Sequence, residues 1–309
     1  MNSTLKTPLT AVILATYNGE KFLPEQLASL SNQSRKIDIL ILRDDGSNDN
    51  SVAIVQTWAR KEGVILQELD GPRLGPARSF LYAVRHAIEA DIYFFCDQDD
   101  FWEPGKIELA VKALGSDRDA MPALYASRLR VVDENLNAIR LSTLPSNLSF
   151  ASAACESLLT GCTLAFNHSF RLLVAKGMPQ HAIMHDWWCY LIATGCVNAR
   201  LCFDSAPTLQ YRQHGSNAIG AGPTGFAAMR MRVRTLFSAG SSIRSKQLSD
   251  FSEIYGALLR PESRYILAAL LRAKCSVWRR VLLAFSIPIS RQSTLLTLTT
   301  RFAIFTNRF

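Results

Sequence analysis

Short, mainly apolar runs alternate with helical patterns through the first third of the chain, and this alternation most constrains its fold. Four of these runs are typical of buried β-strands, and each is followed by an amphipathic helical stretch. The predicted strands cover residues 9–16, 37–42, 63–69 and 91–95. Strands that are apolar on both faces belong to a parallel sheet with helices on both sides. The sequence therefore predicts an α/β fold with a mostly parallel central sheet.

The alternation becomes looser after residue 120. Two further strands are predicted in this part, together with a polar, loop-rich stretch at 133–156, two helices and a final pair of strands. The strands cover 123–132 and 161–167, the helices 169–176 and 185–195, and the final strand pair 199–204 and 207–217.

The positive charge of the chain is concentrated at its C-terminal end. The 309 residues carry a net charge of +8, but residues 226–309 alone hold 14 Lys and Arg against 3 Asp and Glu, a net charge of +11. We therefore divide the chain into a main domain, 1–225, and a basic helical region, 226–309. Basic amphipathic helices bind anionic membrane surfaces. The same pattern also fits a helical bundle packed on the main domain. Nucleic-acid recognition motifs are absent from the sequence, so we expect no nucleic-acid partner.

Two sequence features favour a cytoplasmic protein. The seven cysteines lack CxxC spacing and clustered histidines, which is typical of buried thiols in a reducing compartment. The apolar run at 9–15 is short and leads into a turn, so we interpret it as a strand rather than a signal peptide. No apolar stretch approaches the ~20 residues that a membrane helix needs. We expect a cytoplasmic location, with attachment to the inner face of the cell membrane through the basic region.

Polar side chains follow three of the predicted strands at the point where each strand ends. The segments are TYNG, RDDGS and CDQDD. Ligands of open α/β sheets bind beyond the carboxyl ends of the strands. The three segments therefore converge on one edge of the sheet, where we expect the ligand site.

Asp97, Asp99 and Asp100 place three carboxylates within four positions behind the fourth strand. Carboxylates this close raise one another's pKa unless a cation joins them. Oxygen ligands favour Mg²⁺ or Mn²⁺, and such an ion commonly bridges substrate phosphates. The sequence contains no GxxxxGK[ST] loop and no GxGxxG after the first strand, so metal and side chains are expected to hold the phosphates. The alternative is that Asp100 and Glu103 cap the helix that begins near Pro104.

Five segments together resemble glycosyltransferase family 2 in their order and spacing. They are ILATYNGEKFLPEQLASLSNQS, LRDDGSNDNS, GPARSFLYAVRHA, YFFCDQDDFWEPGKI and HDWW, across about residues 8–215. DQDD with a later HDWW and YRQHGSN resembles the bacterial rhamnosyltransferase-like branch. The resemblance implies a Rossmann-like GT-A fold and an inverting transfer from a nucleotide-diphosphate sugar. The implied acceptor is a glycan or lipid-linked glycan of bacterial surface polysaccharide, such as O-antigen.

The resemblance also implies which residues contact the nucleotide. The segment after the first strand matches the turn that contacts the base and ribose, although a plain β-turn is an alternative. The acids after the second strand match the group that accepts the imide N–H of uracil or thymine, and an Asx-turn is compatible with that role. These positions are Thr16, Tyr17 and Asn18 in the first segment and Asp44 and Asp45 in the second.

Further positions match the diphosphate and metal site. Arg78 matches a basic position near the nucleotide, with a solvated helix face as its alternative. Asp97 and Asp99 match the Asp-x-Asp pair that holds the metal on the diphosphate, with Asp97 also near the nucleotide and Asp99 as the direct ligand. His214 matches a late histidine that reaches the metal or diphosphate. It could instead be a polar turn residue, and Arg212 could approach the diphosphate.

Asp186 matches the catalytic base that takes the proton of the acceptor hydroxyl. A helix-capping role is the alternative, because the residue lies early in a predicted helix. Trp187 and Trp188 either stack on the acceptor sugar or fill the core. The family usually has Arg or Gln two or three residues after this acid, where this chain has Trp188 and Cys189.

Three hypotheses follow for the function. The first is transfer from dTDP-rhamnose, and the second is the same chemistry with a UDP-hexose or UDP-N-acetylhexosamine donor. The third is a non-catalytic scaffold that binds a nucleotide sugar at the membrane.

Overall fold

The computed structural model describes residues 7–115, 117, 120–214, 241–273, 278, 281, 292 and 294–306. The strands are β1 (Thr10–Thr16), β2 (Ile39–Asp44), β3 (Ile65–Glu68), β4 (Ile92–Asp97), β5 (Phe101–Trp102), β6 (Ala123–Val132), β7 (Ala138–Leu141), β8 (Ala165–Asn167) and β9 (Arg200–Arg212). The helices are α1 (Leu23–Ser31), α2 (Ser51–Glu62), α3 (Pro76–His86), α4 (Lys106–Leu114), α5 (Phe150–Ala153), α6 (His168–Val174), α7 (His185–Gly195), α8 (Ser241–Tyr255), α9 (Pro261–Ala273) and α10 (Thr294–Phe305).

The described strands form one sheet in the order β3-β2-β1-β4-β8-β6-β9-β5, with β7 paired to β6. The first four are parallel, which confirms the predicted α/β fold, whereas β8, β5 and β7 pair in antiparallel fashion. The predicted final strand pair is wrong, because 200–212 is one strand. It runs parallel to β6. The polar stretch that suggested two strands lies where the pairing register shifts near Arg128, so the strand continues through it.

Strands β1, β2 and β4 each contribute to two cores because alternate side chains point to opposite faces. In β1, Ala11 and Ile13 face a core that includes α3, α6 and α7, while Val12 and Leu14 face a core that includes α1, α2 and α4. Helices therefore cover both faces of the parallel half, as the sequence predicts. The arrangement leaves the carboxyl ends of β1, β2 and β4 open at one edge.

The described C-terminal helices pack on the main domain. Phe251 in α8 is fully buried, with its ring 5.4 Å from that of Trp188 in α7 and 5.9 Å from that of Phe150 in α5. Ile183 N–H donates to Gln247 of α8 at 2.8 Å, so α8 also holds the segment that leads into α7. This contact fits the helical-bundle alternative for these residues. The predicted boundary between residues 225 and 226 lies outside the described part, so the division stays a prediction.

Parts of the predicted basic region 226–309 and of YRQHGSN lie outside the described residues. They are 226–237, most of 274–285 and positions 215–217. Within the described helices, none combines the length and apolar character needed to cross a membrane. The six described cysteines are free thiols, five of them buried.

Candidate active site

The carboxyl ends of β1, β2 and β4 bring the three polar segments together. Thr16 is paired with Asp44 across the β1–β2 ladder, and Ala15 is paired with Asp97 across the β1–β4 ladder. Neighbouring parallel strands lie about 4.8 Å apart, so the side chains at these ends share one edge. This is the convergence that the sequence predicts.

Gln98 ties the end of β1 to the end of β4. Its Oε1 accepts Thr16 Oγ1 at 2.7 Å and Tyr17 N–H at 2.8 Å, and its Nε2 donates to Tyr17 O at 3.2 Å. Gly19 is required beside it, because an added Cβ would lie 2.4 Å from Gln98 Oε1. The glutamine of DQDD is thus a cross-strand brace that sequence reasoning missed.

Asn18 joins the first two segments. Its backbone adopts a left-handed φ of 48°, a conformation that asparagine tolerates better than most residues. Asn18 Oδ1 accepts Asn48 N–H at 2.9 Å, and Asn18 N–H donates to Ser47 Oγ at 2.9 Å. The Asp44 carboxylate accepts hydrogen bonds from the N–H groups of Gly46 and Ser47 at 3.0 and 2.8 Å. Asp44 therefore forms the Asx-turn that the sequence analysis gave as an alternative.

The Asp45 carboxylate is buried and accepts three hydrogen bonds from the segment around the start of α3. Oδ1 accepts Leu74 N–H and Ser79 Oγ, each at 2.7 Å, and Oδ2 accepts Gly75 N–H at 2.8 Å. Burial acts to raise the pKa of Asp45, but these bonds and Arg43 outweigh it and hold the pKa below its ordinary value. A carboxylate offers about four acceptor positions. The described bonds fill three, which leaves room for the imide N–H that the resemblance assigns to Asp45.

Two arginines lie in the segment that donates to Asp45. Arg78 is exposed on α3, next to the Ser79 that holds Asp45, so its position agrees with the solvated-face alternative. Arg73 was not predicted, yet its guanidinium lies 4.0 Å from the ring centre of Tyr17. The Tyr17 ring is partly exposed beside the site.

The three acids of DQDD have different partners in the structure. Asp99 Oδ2 lies 2.8 Å from His214 Nε2, and the His214 ring stacks on Phe22 at 4.4 Å between centroids. Asp100 is fully buried and accepts the Arg212 main-chain N–H at 3.3 Å. The alternative in which Asp100 caps a helix is therefore wrong, because α4 begins after Gly105 and receives no side-chain cap.

Asp97 lies on the other side of the acid segment, close to Asp100 and Cys162. One ligand atom from each of these residues lies within 4.8 Å of the other two. Burial raises the pKa of the Cys162 thiol well above its ordinary value, and sulfur is a soft ligand that suits Mg²⁺ or Mn²⁺ poorly. Burial also lowers the pKa of Lys106, the cation beside this group, to about 8.

The residues at this edge fit a divalent cation. Burial, followed by the charges of Asp100, Asp99 and Asp186, raises the pKa of Asp97 well above its ordinary value. A carboxylate this strongly opposed by like charges is stabilised in its ionised form when a cation binds beside it. Carboxylate oxygens suit Mg²⁺ and Mn²⁺, and an imidazole is a common additional ligand. Among the described residues, the three ligand atoms found close together belong to Asp97, Asp100 and Cys162, so Asp97, Asp99 and His214 as the ligand set stay a prediction.

Asp186 lies in the first turn of α7, and only 7% of its surface is exposed. Its Oδ2 accepts Gly161 N–H at 2.9 Å, and its Oδ1 accepts Trp187 N–H at 2.5 Å. Burial raises the pKa of Asp186 to about 6, and the two hydrogen bonds act in the opposite direction. A general base works best with a pKa near the operating pH. The charge of Asp186 is also one of the causes that raise the pKa of Asp97.

The two tryptophans behind Asp186 belong to the core. Trp188 is fully buried between Phe251 and Tyr255, so it fills the core and does not face an acceptor. Trp187 is buried as well, and its indole N–H donates to Ala153 O at 2.6 Å. The core-filling alternative therefore describes both rings in this structure.

Comparison with known proteins gives matches to one family. The family model described as "Glycosyl transferase family 2" matches residues 11–156. The dTDP-rhamnosyl transferase RfbG of Shigella flexneri is 30% identical over 219 residues, covering 67% of this chain and 74% of that protein. The putative glycosyltransferase EpsH of Bacillus subtilis is 28% identical over 137 residues, covering 43% of this chain and 38% of that protein.

Solved structures share the fold at low sequence identity. Residues 1–349 of S. aureus TarS, in complex with UDP-GlcNAc, give a TM-score of 0.57 at 16% identity, covering 97% of this chain and 89% of that chain. A mannosyltransferase from Pyrobaculum calidifontis, in complex with GDP-Man and Mn²⁺, gives 0.50 at 17% identity, covering 98% and 88%.

Proposed function

This chain belongs to glycosyl transferase family 2 and has the GT-A fold, and we propose that it performs an inverting, metal-dependent sugar transfer. As a member of this family it is a glycosyltransferase that uses a nucleotide-sugar donor. The proposed donor is dTDP-rhamnose, and the proposed acceptor is a glycan or lipid-linked glycan of bacterial surface polysaccharide such as O-antigen. The similarity to a dTDP-rhamnosyl transferase over 74% of that protein's length supports this choice of donor.

Three chemically different groups support the proposal, two of them at the shared edge of β1, β2 and β4 and the third at the start of α7. Asp45 retains an acceptor position for an imide N–H, which uracil and thymine both offer. The crowded acids, with His214, suit a cation on a diphosphate. Asp186 supplies a carboxylate whose pKa of about 6 suits a general base.

The proposed reaction proceeds in one displacement. The acceptor hydroxyl oxygen attacks the anomeric carbon from the face opposite the diphosphate, and Asp186 takes the hydroxyl proton as the new C–O bond forms. The bond between the anomeric carbon and the diphosphate oxygen breaks, and its electron pair leaves with the nucleoside diphosphate. A divalent cation held by Asp97, Asp99 and His214 would neutralise charge on that leaving group.

A second candidate donor is a UDP-N-acetylhexosamine. A poly(ribitol-phosphate) β-N-acetylglucosaminyltransferase, TarS of Staphylococcus aureus, is 31% identical over 94 residues, which are 29% of this chain and 16% of that protein. Uracil and thymine offer the same imide donor, so Asp45 accommodates either nucleotide. The match is short, and we therefore rank this donor second.

A donor screen with an active-site variant tests the proposal. Purified protein is incubated with Mn²⁺ and dTDP-rhamnose, UDP-N-acetylglucosamine, UDP-glucose or GDP-mannose, and released nucleoside diphosphate is measured. We expect turnover with dTDP-rhamnose and a loss of about 10²–10⁴-fold in kcat for Asp186→Asn. Glu62→Gln, at the exposed C-terminal end of α2, is the control and should match the wild type. Wild-type turnover by Asp186→Asn would refute the base assignment, and metal-independent turnover would refute the cation.

We also propose that the enzyme works on the cytoplasmic side of the cell membrane, against an anionic surface. The net charge of +11 over residues 226–309 supports this location. In α10, Thr300 and Ile304 are buried, while Leu298, Phe302 and Phe305 form an exposed apolar stripe. Basic charge combined with exposed aromatic side chains is typical of helices that lie in a membrane interface.

Vesicle co-sedimentation tests this location. We expect the chain to sediment with phosphatidylglycerol vesicles and less with phosphatidylcholine vesicles. Changing Leu298, Phe302 and Phe305 together to Ser should reduce sedimentation, whereas Ile139→Ser, at an exposed position of β7, should not. Equal sedimentation of the triple variant and the wild type would contradict a role for the stripe.

A further inference from the structure

The sequence allows Arg212 to approach the diphosphate, but in the structure its side chain is buried among groups of the protein itself. It ends β9, two residues before His214, and only 2% of its surface is exposed. Isolated buried charges are strongly unfavourable, so a buried guanidinium needs partners inside the protein. The identity of those partners indicates what the residue does.

The partners of Arg212 belong to three separate parts of the chain. Its Nε donates to Asp99 main-chain O at 3.0 Å, and its main-chain N–H donates to Asp100 Oδ1 at 3.3 Å. The two remaining guanidinium nitrogens donate to Glu134 main-chain O and to the Glu25 carboxylate. The acid segment, the turn after β6 and helix α1 are therefore joined through one side chain.

Phe22 connects the same arginine to His214. The Arg212 guanidinium carbon lies 5.1 Å from the centre of the Phe22 ring, and the His214 imidazole stacks on that ring at an interplanar angle of 27°. His214 Nε2 is 2.8 Å from Asp99 Oδ2. Arg212 thus fixes the main chain of Asp99 and shares a stacking platform with His214.

We propose that Arg212 is a positioning residue that holds Asp99 and His214 in the arrangement that binds the cation, and that it does not bind the diphosphate. The inference rests on the proposed function, because it takes Asp99 and His214 as metal ligands. Each of the three guanidinium nitrogens donates to a group of this chain, and only 2% of the residue is exposed, so a diphosphate could reach the guanidinium only if this part of the protein opened. Groups that orient metal ligands typically change metal affinity by 10–100-fold when they are replaced.

Arg212→Lys is the test variant, because lysine keeps the charge but cannot donate in three directions from one plane. Arg171→Lys is the matched control. Arg171 also donates to three main-chain oxygens, those of Val84, Arg85 and Ala87 at 2.9–3.0 Å, but it joins α6 to α3 away from the acids. Both variants lose a comparable set of hydrogen bonds, so both should melt at a lower temperature than the wild type.

Mn²⁺ affinity is measured by electron paramagnetic resonance titration, separately with UDP and with dTDP present. We expect Arg212→Lys to weaken Mn²⁺ binding by about 10–100-fold and Arg171→Lys to change it by less than about twofold. Nucleotide binding in EDTA, followed by calorimetry, should be the same for both variants and the wild type. Phe22→Leu, which keeps an apolar side chain but removes the platform, should also weaken Mn²⁺ binding.

Three outcomes would overturn the inference, and they are distinguishable. Unchanged Mn²⁺ affinity in folded Arg212→Lys or in Phe22→Leu would remove the positioning role. Weaker nucleotide binding in EDTA by Arg212→Lys alone would make Arg212 a diphosphate ligand. Wild-type Mn²⁺ affinity in Asp99→Asn would refute the metal assignment itself, and the inference with it.

Discussion

Replacing Gly161 by alanine should change the pH at which the enzyme becomes active. Gly161 begins a short 3₁₀ turn, and its N–H donates to Asp186 Oδ2 at 2.9 Å. A Cβ added at Gly161 would lie 2.3 Å from His185 Nε2 and 2.7 Å from His185 Cε1. Heavy atoms cannot approach this closely, so either His185 or the Gly161 main chain must move.

His185 has little freedom to move away. Its ring is buried, stacks on Phe80 at 4.0 Å between centroids, and meets Phe95 edge-on at 4.8 Å. Burial lowers the pKa of His185 to about 3, so the ring is neutral and packs as an aromatic side chain. We therefore expect the main chain of Gly161 to shift, which lengthens its hydrogen bond to Asp186.

The size of the effect follows from that hydrogen bond. A hydrogen bond to a charged group contributes about 1.5–3 kcal/mol. Losing about half of it raises the pKa of Asp186 by roughly one pH unit, because one unit corresponds to 1.36 kcal/mol. A base must be ionised to accept a proton, so activity rises with pH through this pKa. The acid limb of the wild type should lie near pH 6, and that of Gly161→Ala about one pH unit higher.

The prediction requires that no other titratable group near Asp186 changes its charge near pH 6. Asp97 in β4, His185 and Cys189 in α7 are the titratable side chains close to it. Burial keeps His185 neutral, and the pKa of the Cys189 thiol is raised by burial and by Asp186, so neither changes charge near pH 6. Asp97 is untouched by the substitution and is held by the cation at saturating Mn²⁺.

The assay is kcat at saturating donor, acceptor and Mn²⁺ from about pH 5 to about pH 9. Gly177→Ala is the matched control, because its Cβ would lie 2.9 Å from the Ile254 side chain, away from Asp186. Overpacking should lower the free energy of unfolding of both variants by about 1–3 kcal/mol. Only Gly161→Ala should move the acid limb. An acid limb at the wild-type pH in destabilised Gly161→Ala would refute the role of this hydrogen bond.

Three further predictions concern stability. Asp45→Asn should lower the free energy of unfolding by about 1–3 kcal/mol at neutral pH, because its amide NH₂ would face N–H donors. The pKa of Asp45 is below its ordinary value, so in urea titrations the difference between the variant and the wild type should shrink as the pH falls through that pKa. Phe251→Ala should lower the free energy of unfolding by about 3–5 kcal/mol and leave a single unfolding transition, because Phe251 is buried against both α5 and α7; two separate transitions would show that α8 is not part of the same core. Mn²⁺ at about 100 times its Kd, with nucleoside diphosphate present, should stabilise the wild type by about 2.7 kcal/mol in a thermal melt but leave Asp99→Asn unchanged.

The elements that position the site could be predicted because local pattern determines them. β6 covers 123–132 and α7 covers 185–195, as the sequence predicts, and β1 begins one residue later than expected. Strands buried on both faces have no polar positions that would confuse their pattern with that of a surface helix. Long β9 was missed because Pro207 and the polar residues before it interrupt the apolar pattern, whereas the register shift against β6 lets the strand continue.

The contacts that complete the site could not be predicted, because they join residues far apart in the sequence. Gln98 braces Thr16 across 82 positions, and Arg212 reaches Glu25 across 187. A glutamine between two aspartates, or an arginine before a histidine, carries no local signal of its partner. Gly161 could not be identified from the sequence either, because a side chain is excluded there only by the position of His185 in the fold.

The crowding of carboxylates in DQDD has an explanation in how the chain turns after β4. Asp97 ends the strand, Asp99 lies beyond it with His214, and Asp100 turns into the interior, where the main chain of Arg212 donates to it. Burial and Asp99 raise the pKa of Asp100 to about 7, so its charge is weakened where it would oppose the other two acids. Asp100 therefore anchors the segment to β9, which is why the proposed function assigns the cation to Asp97, Asp99 and His214 rather than to all three acids.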